Sequence, residues 1–292
     1  MPELPEVEVI RLFLHKHLIG KRIISLETIT PKSFSGDPSL IFGQTVTFLG
    51  RTGNQLSITL SNNFILLAHL KMTGQLIYHP SSSIKSKNGI SAFGHPTKDM
   101  LNQSLPNKST RLVFHFSNGS RLFFNDQRKF GWIKLMTQVE LAQFQKNLGV
   151  DILSPRFTAG FFYHQIHSSS RPIKLLLLDQ SRFAGIGNIY ANDALFLAGL
   201  HPQTPAKTIT RPDALRLRRF LISIMRQSIR HGGSTARDNT FLRPDRSAGS
   251  HQFHFRVYQR AGLSCFKCGN FVQKIKLGGR GTFFCPVCQK SS

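Results

Sequence analysis

Four cysteines constrain this chain more than any other feature. They read Cys265-Phe266-Lys267-Cys268 and Cys285-Pro286-Val287-Cys288, with sixteen residues between the pairs. Two residues between paired thiols let both reach one tetrahedral ion, and the longer gap accommodates a β-hairpin. Two matched pairs make a redox dithiol the poorer explanation. Four protein ligands also close the coordination sphere, so the expected cofactor is one structural Zn2+ per chain, held by Cys265, Cys268, Cys285 and Cys288. All four lie in the last tenth of the 292 residues, which describes a local staple and not a disulfide framework.

Charge narrows the partners. The chain has 38 Lys and Arg against 14 Asp and Glu, a net charge of +24. Such an excess points to a polyanion, with nucleic acid first among candidates. A membrane surface is the alternative, but no run of about 18 apolar residues exists to cross a bilayer. Glu3, Glu6 and Glu8 cluster at the start, and no acid follows Asp245. The N-terminus is therefore electrostatically distinct from the rest, and it lacks the basic opening of a secretory signal. The C-terminal segment is expected to face the polyanion.

Periodicity divides the chain. Pro5 and the glutamates suit a first helical turn, Val7, Ile10, Leu14 and Leu18 recur at helical spacing, and Gly20 can close that helix. Leu56, Ile58 and Leu60 alternate with polar residues, and Ser61-Asn62-Asn63 turns the chain into the apolar run 64–70. Arg111–Phe116 and Arg121–Phe124 flank Ser117-Asn118-Gly119-Ser120, a hairpin turn. Residues 21–135 read as an antiparallel β domain with a polar insertion near 80–108. From about 137 the period changes, with helices expected at 174–179, at 188–197 and from Pro212 to Gly232-Gly233. Residues 256–292 read as short strands and two cysteine knuckles. The expected division is 1–135, 136–233 and 234–292, with the finger at about 256–290.

Several segments could carry chemistry. Met1-Pro2-Glu3 allows removal of the initiator Met, which would leave a secondary amine with a pKa near ~8, partly neutral and nucleophilic. Such an amine can attack an aldehyde-level carbon to give an iminium ion, with Glu3 as acid or base; plain helix capping is the simpler reading of these residues alone. Met72, in His69–Gly74, could wedge between base pairs, although a core Met is the simpler reading of that segment. Arg128, Lys129 and Phe130 mix cations with an aromatic, as stacking and phosphate contact require, or else Phe130 and Trp132 are buried at a hairpin end. Gly185-Ile186-Gly187-Asn188-Ile189-Tyr190 opens a helix whose amides and Asn188 could hold a phosphate; by itself such a turn is common. Arg280 sits on the hairpin between the cysteine pairs, within reach of a groove or phosphates.

Together these pieces resemble the bacterial formamidopyrimidine-DNA glycosylases, also called 8-oxoguanine DNA glycosylase/AP lyases, over essentially the whole chain. The residues that carry the resemblance are Pro2–Glu8, His69–Gly74, Asp126–Gly131, Gly185–Tyr190 and Gly232–Thr235, followed by Val257-Tyr258 and the cysteine hairpin. The resemblance implies an α+β multidomain fold: an N-terminal antiparallel β-sandwich with a leading helix, a helix–two-turn–helix domain, and a C-terminal four-cysteine zinc-finger β-hairpin, with DNA crossing the cleft. It implies that Pro2 is the Schiff-base nucleophile, Glu3 the acid for sugar-ring opening, and Glu6 a support for that geometry. Met72, Arg128 and Phe130 would fill the gap left by the extruded nucleotide. Asn188 and Arg280 would bind phosphates, with Lys129 and Tyr190 as further DNA contacts. The loop near 234–253 would enclose the damaged base. The implied partner is double-stranded DNA with oxidised purines or abasic sites, met by a monomer in the bacterial cytoplasm at the nucleoid.

Three departures accompany the resemblance. Asn54 stands where the family usually has a lysine, and cannot supply its charge. Lys108-Ser109 stands where the family tends to have Lys-His, and Gly249–His254 diverges from the usual wording of the lesion loop. One rival is the endonuclease VIII-type glycosylase for oxidised pyrimidines, which usually begins Pro-Glu-Gly-Pro-Glu, so Leu4 argues against it. A catalytically weakened DNA-binding paralogue is opposed by intact Pro2 and Glu3. A zinc-binding transcription factor would have no use for the N-terminal motif.

Overall fold

The computed structural model describes residues 2–81, 91–94, 105–235 and 249–290. Most of the polar insertion expected near 80–108, and residues 236–248 of the expected lesion loop, lie outside the described residues. The described residues form two compact units, one of residues 1–146 with 231–250, the other of residues 147–230 with 251–292.

The first unit opens with helix α1 (Leu4–Leu18), with Pro5 in its first turn. Val7, Ile10, Leu14 and Leu18 are all fully buried, as their spacing required. Gly20, at φ +77°, turns the chain out of the helix. Strands β1 (Ile23–Thr28), β2 (Phe34–Ser35), β3 (Val46–Thr52), β4 (Gln55–Leu60), β5 (Ile65–His69), β6 (Gly74–His79), β7 (Ser91–Gly94), β8 (Thr110–Phe116), β9 (Arg121–Asp126) and β10 (Trp132–Met136) follow. They form two five-stranded sheets, ordered β1-β8-β9-β6-β7 and β2-β10-β5-β4-β3. Pairing is antiparallel throughout except for the short β2–β10 contact, which is parallel. One core takes the four α1 residues together with Leu49, Leu56, Ile58 and Leu66 from one sheet and Leu76, Phe114, Leu122 and Phe124 from the other. Each such side chain contributes about 1.5–3 kcal/mol on burial. β7 is a strand within the stretch that reads as a polar insertion; it pairs with β6 at the sheet edge.

Helix α2 (Gln138–Gln145) closes the first part of this unit. Periodicity does not announce it, but its capping box does: Thr137 Oγ1 accepts from the Glu140 N–H at 3.2 Å, and Glu140 accepts from the Thr137 N–H at 2.7 Å.

The second unit contains β11 (Val150–Asp151), α3 (Ala159–His167), α4 (Ile173–Leu177), β12 (Phe183–Ala184), α5 (Asn188–Ala198), α6 (Arg211–Arg230), β13 (Gln273–Leu277) and β14 (Arg280–Phe284). α3 is short and unforeseen; it forms around the buried Phe162 and Ile166 and an edge-to-face cluster of Phe157, Phe162 and Phe183. α5 ends within a residue of the expected 197, capped by Gly199 in the left-handed conformation, φ +70°. α6 buries Leu217, Leu221, Ile224 and Met225, whereas Phe220 is only half-buried.

The finger segment is joined to α5 by one carboxylate. Fully buried Asp193 accepts the backbone N–H groups of Arg256, Val257 and Tyr258 at 2.9, 3.0 and 3.0 Å. Burial pushes its carboxyl above the usual carboxylate range, and the three amides pull it back. Asp193→Ala leaves those three donors without their acceptor, and each buried unpaired donor costs about 1–3 kcal/mol. The expected loss is about 3 kcal/mol or more, seen as a lower urea midpoint at unchanged slope.

Candidate functional site

The N-terminal turn is built around one carboxylate. Pro2, Glu3 and Glu6 are all buried. Glu6 Oε2 accepts the Glu3 N–H at 3.0 Å, and its Oε1 accepts both the N–H and the hydroxyl of Ser234, at 2.9 and 3.0 Å. One side chain on the first turn of α1 thus orients Glu3 and fastens the Gly232–Thr235 segment to it. That segment is closed at its base. Gly249 N–H donates to Thr235 Oγ1 at 2.8 Å, and Ser250 N–H to His231 O at 3.1 Å. A Cβ on Gly249 would stand 2.4 Å from Gly233 O, so only glycine lets the two strands of this base approach so closely. Met1 lies outside the described residues.

A second cluster gathers at the corner between β5 and β6 and the loop between β9 and β10. Asp126 is fully buried, and its carboxylate accepts from Thr73 Oγ1, from the Arg128 N–H at 3.2 Å and from the Gly131 N–H at 2.6 Å. Asp126 therefore joins the segment carrying Met72 to the one carrying Arg128, Lys129 and Phe130. The bland readings fail here: Met72 is 45% exposed and Phe130 56% exposed. Trp132 alone turns inward, half-buried, its ring 5.7 Å from that of His69. Arg128 lies over the Phe130 ring at 5.1 Å. Lys71 and Lys129 both adopt positive φ, +51° and +59°, a left-handed conformation that side chains rarely accept. His69 accepts the Lys71 N–H on Nδ1 at 3.0 Å, and burial, with the Lys71 charge, lowers its pKa to about 4. It is a neutral imidazole with its proton on Nε2.

Asp126 carries no role of its own in the motif reading, although the segment Asp126–Gly131 is part of the resemblance. An acid in a loop otherwise rich in cations is the available signal. Ser109 is buried, its carbonyl accepting the Asp126 N–H at 2.8 Å, so position 109 presents no polar group outward. Asn54 occupies the two-residue turn Gly53-Asn54 between β3 and β4. The nearby Arg51 is committed elsewhere: to Glu8 at 3.0 Å and to Gly53 O at 2.8 Å.

The third cluster lies in the second unit. Asn188 is half-buried at the first turn of α5, and its Nδ2 donates to Gly281 O at 3.1 Å. Lys174, fully buried, donates to the same carbonyl at 3.0 Å and to Thr282 Oγ1 at 2.6 Å. Asn192 Oδ1 accepts the Phe283 N–H at 2.8 Å. These bonds bolt the start of β14 to α4 and α5; Arg280, one residue before Gly281, is exposed. Tyr190 requires correction. It is fully buried, its hydroxyl 2.6 Å from Ser228 Oγ on α6, and so it packs the two helices together and cannot touch DNA.

The four cysteine sulfurs lie within 4.8 Å of one another, with 3.9 Å between Cys265 and Cys288 and 3.5 Å between Cys268 and Cys285. Four thiolates about 2.3 Å from a tetrahedral zinc stand about 3.8 Å apart, so the donor set fits one zinc ion. Thiol chemistry agrees. Cys288 is pushed up to about 12 by desolvation and by the neighbouring sulfurs, while Cys265, despite its burial, falls to about 7 through the amides of Lys267 and Cys268. Four such sulfurs become anionic together only around a cation.

Comparison with known proteins agrees with this geometry. Residues 1–133 match the model of the formamidopyrimidine-DNA glycosylase N-terminal domain, residues 148–240 the H2TH domain of the same enzymes, and residues 262–290 the zinc finger found in FPG and IleRS. The chain belongs to the formamidopyrimidine-DNA glycosylase family. It is similar to the formamidopyrimidine-DNA glycosylase of Pelotomaculum thermopropionicum, 36% identical over 99% of either chain. It is also similar to a mutant Lactococcus lactis FPG in complex with Fapy-dG-containing DNA (31% identity, TM-score 0.84) and to L. lactis Fpg in complex with abasic-site DNA (30%, TM-score 0.83). Both cover 99% of this chain and all of theirs. Among the described residues no helix is long and apolar enough to cross a membrane.

Metal analysis is expected to find one zinc per chain. Cys268→Ser should lose it, unfold the β13–β14 hairpin and weaken duplex binding at least tenfold through Arg280, as measured by metal content and binding titration.

Proposed function

We propose that this chain removes oxidised purines, 8-oxoguanine and formamidopyrimidines, from duplex DNA and then cleaves the abasic strand by β,δ-elimination. The observation that carries the reading is the buried Pro2-Glu3 turn, held by Glu6 against Ser234, in a chain that matches this family from end to end. Extrusion of the damaged nucleotide comes first, because the anomeric carbon is out of reach inside a stacked duplex. Met72, Arg128 and Phe130, exposed on two segments that share Asp126, suit the filling of the gap. Lys129, Asn188 and Arg280 suit phosphates.

With Met1 removed, the Pro2 nitrogen attacks C1′, a C1′–N bond forms, and the base leaves with the electrons of the glycosidic bond, taking up through solvent the proton that the Pro2 nitrogen gives up. The C1′–O4′ bond then opens as O4′ takes a proton from Glu3, leaving an iminium ion on Pro2. Loss of the C2′ proton expels the 3′ phosphate, and loss of the C4′ proton expels the 5′ phosphate. Glu6 is a positioning residue here, since its oxygens are occupied by Glu3 and Ser234. Bound zinc would shape the finger through its four cysteines and take no part in these steps. The working form is a monomer in the bacterial cytoplasm, at the nucleoid, with functional pieces 1–135, 136–233 and 234–292.

Borohydride trapping on abasic duplex tests the chemistry. The native chain should start at Pro2 and give a covalent adduct, and an added residue before Pro2 should abolish it. Trapping at the normal rate with a blocked amine would place the nucleophile elsewhere. Glu3→Gln should lower base excision about 100-fold or more while DNA affinity holds.

Asn54 gives a finer expectation. An uncharged carboxamide hydrogen-bonds an anion about half as strongly as a cation does. Asn54→Lys should therefore raise single-turnover 8-oxoguanine excision about tenfold, corresponding to about 1–2 kcal/mol. Cleavage of a ready-made abasic site should hardly change, because no base is held there. Equal excision rates would mean that Lys71 or Lys129 already serves this position.

A further inference from the structure

Helix α6 has six arginines, and the structure sorts them into two groups. Arg216 and Arg218 are used inward: Arg216 donates to Ala198 O at 3.0 Å and pairs with Asp213, and Arg218 donates to Phe157 O at 2.9 Å. Arg211, Arg219, Arg226 and Arg230 are exposed. At about 100° per residue these four fall within an arc of about 100°, centred about 150° from the buried face that carries Leu217, Leu221 and Ser228. Asp213, the only acid of the helix, lies off that arc. Among the described residues no hydrogen bond or ion pair to these four is found; Arg211 and Arg219 meet only the rings of Tyr163 and Phe220, at 6.0 and 5.3 Å.

This alignment works against the helix that carries it. Arg226 and Arg230 are like charges one turn apart, and Arg211 sits at the positive end of the helix dipole. A row of this kind is relieved when anions cover it. It spans about 28 Å, or about 8 base pairs of duplex. Leu215 is the one exposed large apolar side chain on the arc, so the row lacks the buried anchors that a protein partner uses.

The row also faces away from the phosphate contacts proposed for the second unit. Asn188 belongs to α5, and α5 packs on the opposite, buried face of α6 through Tyr190 and Ser228. We infer that the α6 arginine row is a second DNA surface, which takes the phosphate backbone of a duplex segment other than the one under repair. A unit with DNA on both sides bridges two segments and can pass from one to the other without a free intermediate. This rests on the reading of the chain as a duplex-DNA enzyme, and the test separates the two.

Full-length protein is saturated with a short donor-labelled duplex carrying an abasic-site analogue, and an acceptor-labelled undamaged duplex is then titrated in at low salt. The wild type should show energy transfer, lost on raising salt with a log–log slope of about −3.6 for four phosphates. The variant with Arg211→Gln, Arg219→Gln, Arg226→Gln and Arg230→Gln should bind the second duplex at least tenfold more weakly. Its first-duplex affinity, helix content and zinc content should be unchanged. The corresponding Arg→Lys variant should keep the transfer, and Arg226→Glu alone should reduce it. Equal transfer in the Gln variant would overturn the inference. So would a wild type that binds the first duplex and never the second, as it would if the row served an acidic protein. Failure to bind even the first duplex would sink the repair-enzyme reading instead.

Discussion

The Glu6 carboxylate is the interaction on which the N-terminal site depends. It is almost fully buried, and a buried carboxylate is tolerable only where donors replace water. The Glu3 amide serves one oxygen and Ser234, by amide and hydroxyl, the other. Neighbours in sequence and residues more than two hundred positions apart are thereby fixed to one group. The same bonds that stabilise the charge set the direction of Glu3 and hold the base of the 232–250 segment. Exposed loops seldom define geometry this closely; here a helix's first turn does, because α1 is itself pinned by four apolar side chains in the sandwich core.

A related arrangement recurs elsewhere. Asp126 collects three donors and joins two exposed segments. Asp193 collects three amides and holds the finger segment to α5. In a chain with only 14 acids, these buried carboxylates organise backbone and do little to offset surface charge. The cations are left largely to the surface, which is why a net charge of +24 is compatible with an apolar core. Two buried cations depart from this among the described residues: Arg111 donates to the carbonyl of Asp126, and Lys174, a fully buried ammonium bonded to Gly281 and Thr282, orients the finger turn and presents no charge outward.

Much of this was legible in the sequence. The four cysteines announced their metal by spacing alone, the α1 core residues by period 3.6, and β4, β8 and β9 by alternation and turns, because each signal reports a local geometric requirement. The family followed from the order of short motifs along the chain. Local pattern failed wherever distant packing decides. Tyr190 sits in a helix-opening motif that suits DNA contact, yet tertiary packing against Ser228 buries it. Met72, which reads more simply as a core residue, stands in water because the corner between β5 and β6 turns it outward. α3 is too short to declare itself by period and exists because Phe162 and Ile166 found a core.

By itself, then, the sequence determined the longer, strongly periodic elements, the metal ligands and the charge, all legible from composition and local spacing. Only the tertiary structure decided which polar groups meet. Glu6 with Ser234, Asp126 with Thr73, and Asn188 and Lys174 with Gly281 are pairs separated by 53 to 228 positions. It also decided which of the α6 arginines turn inward and which remain exposed. The physical reason is that a buried polar group must find a partner wherever the fold brings one, and no local periodicity encodes where that will be.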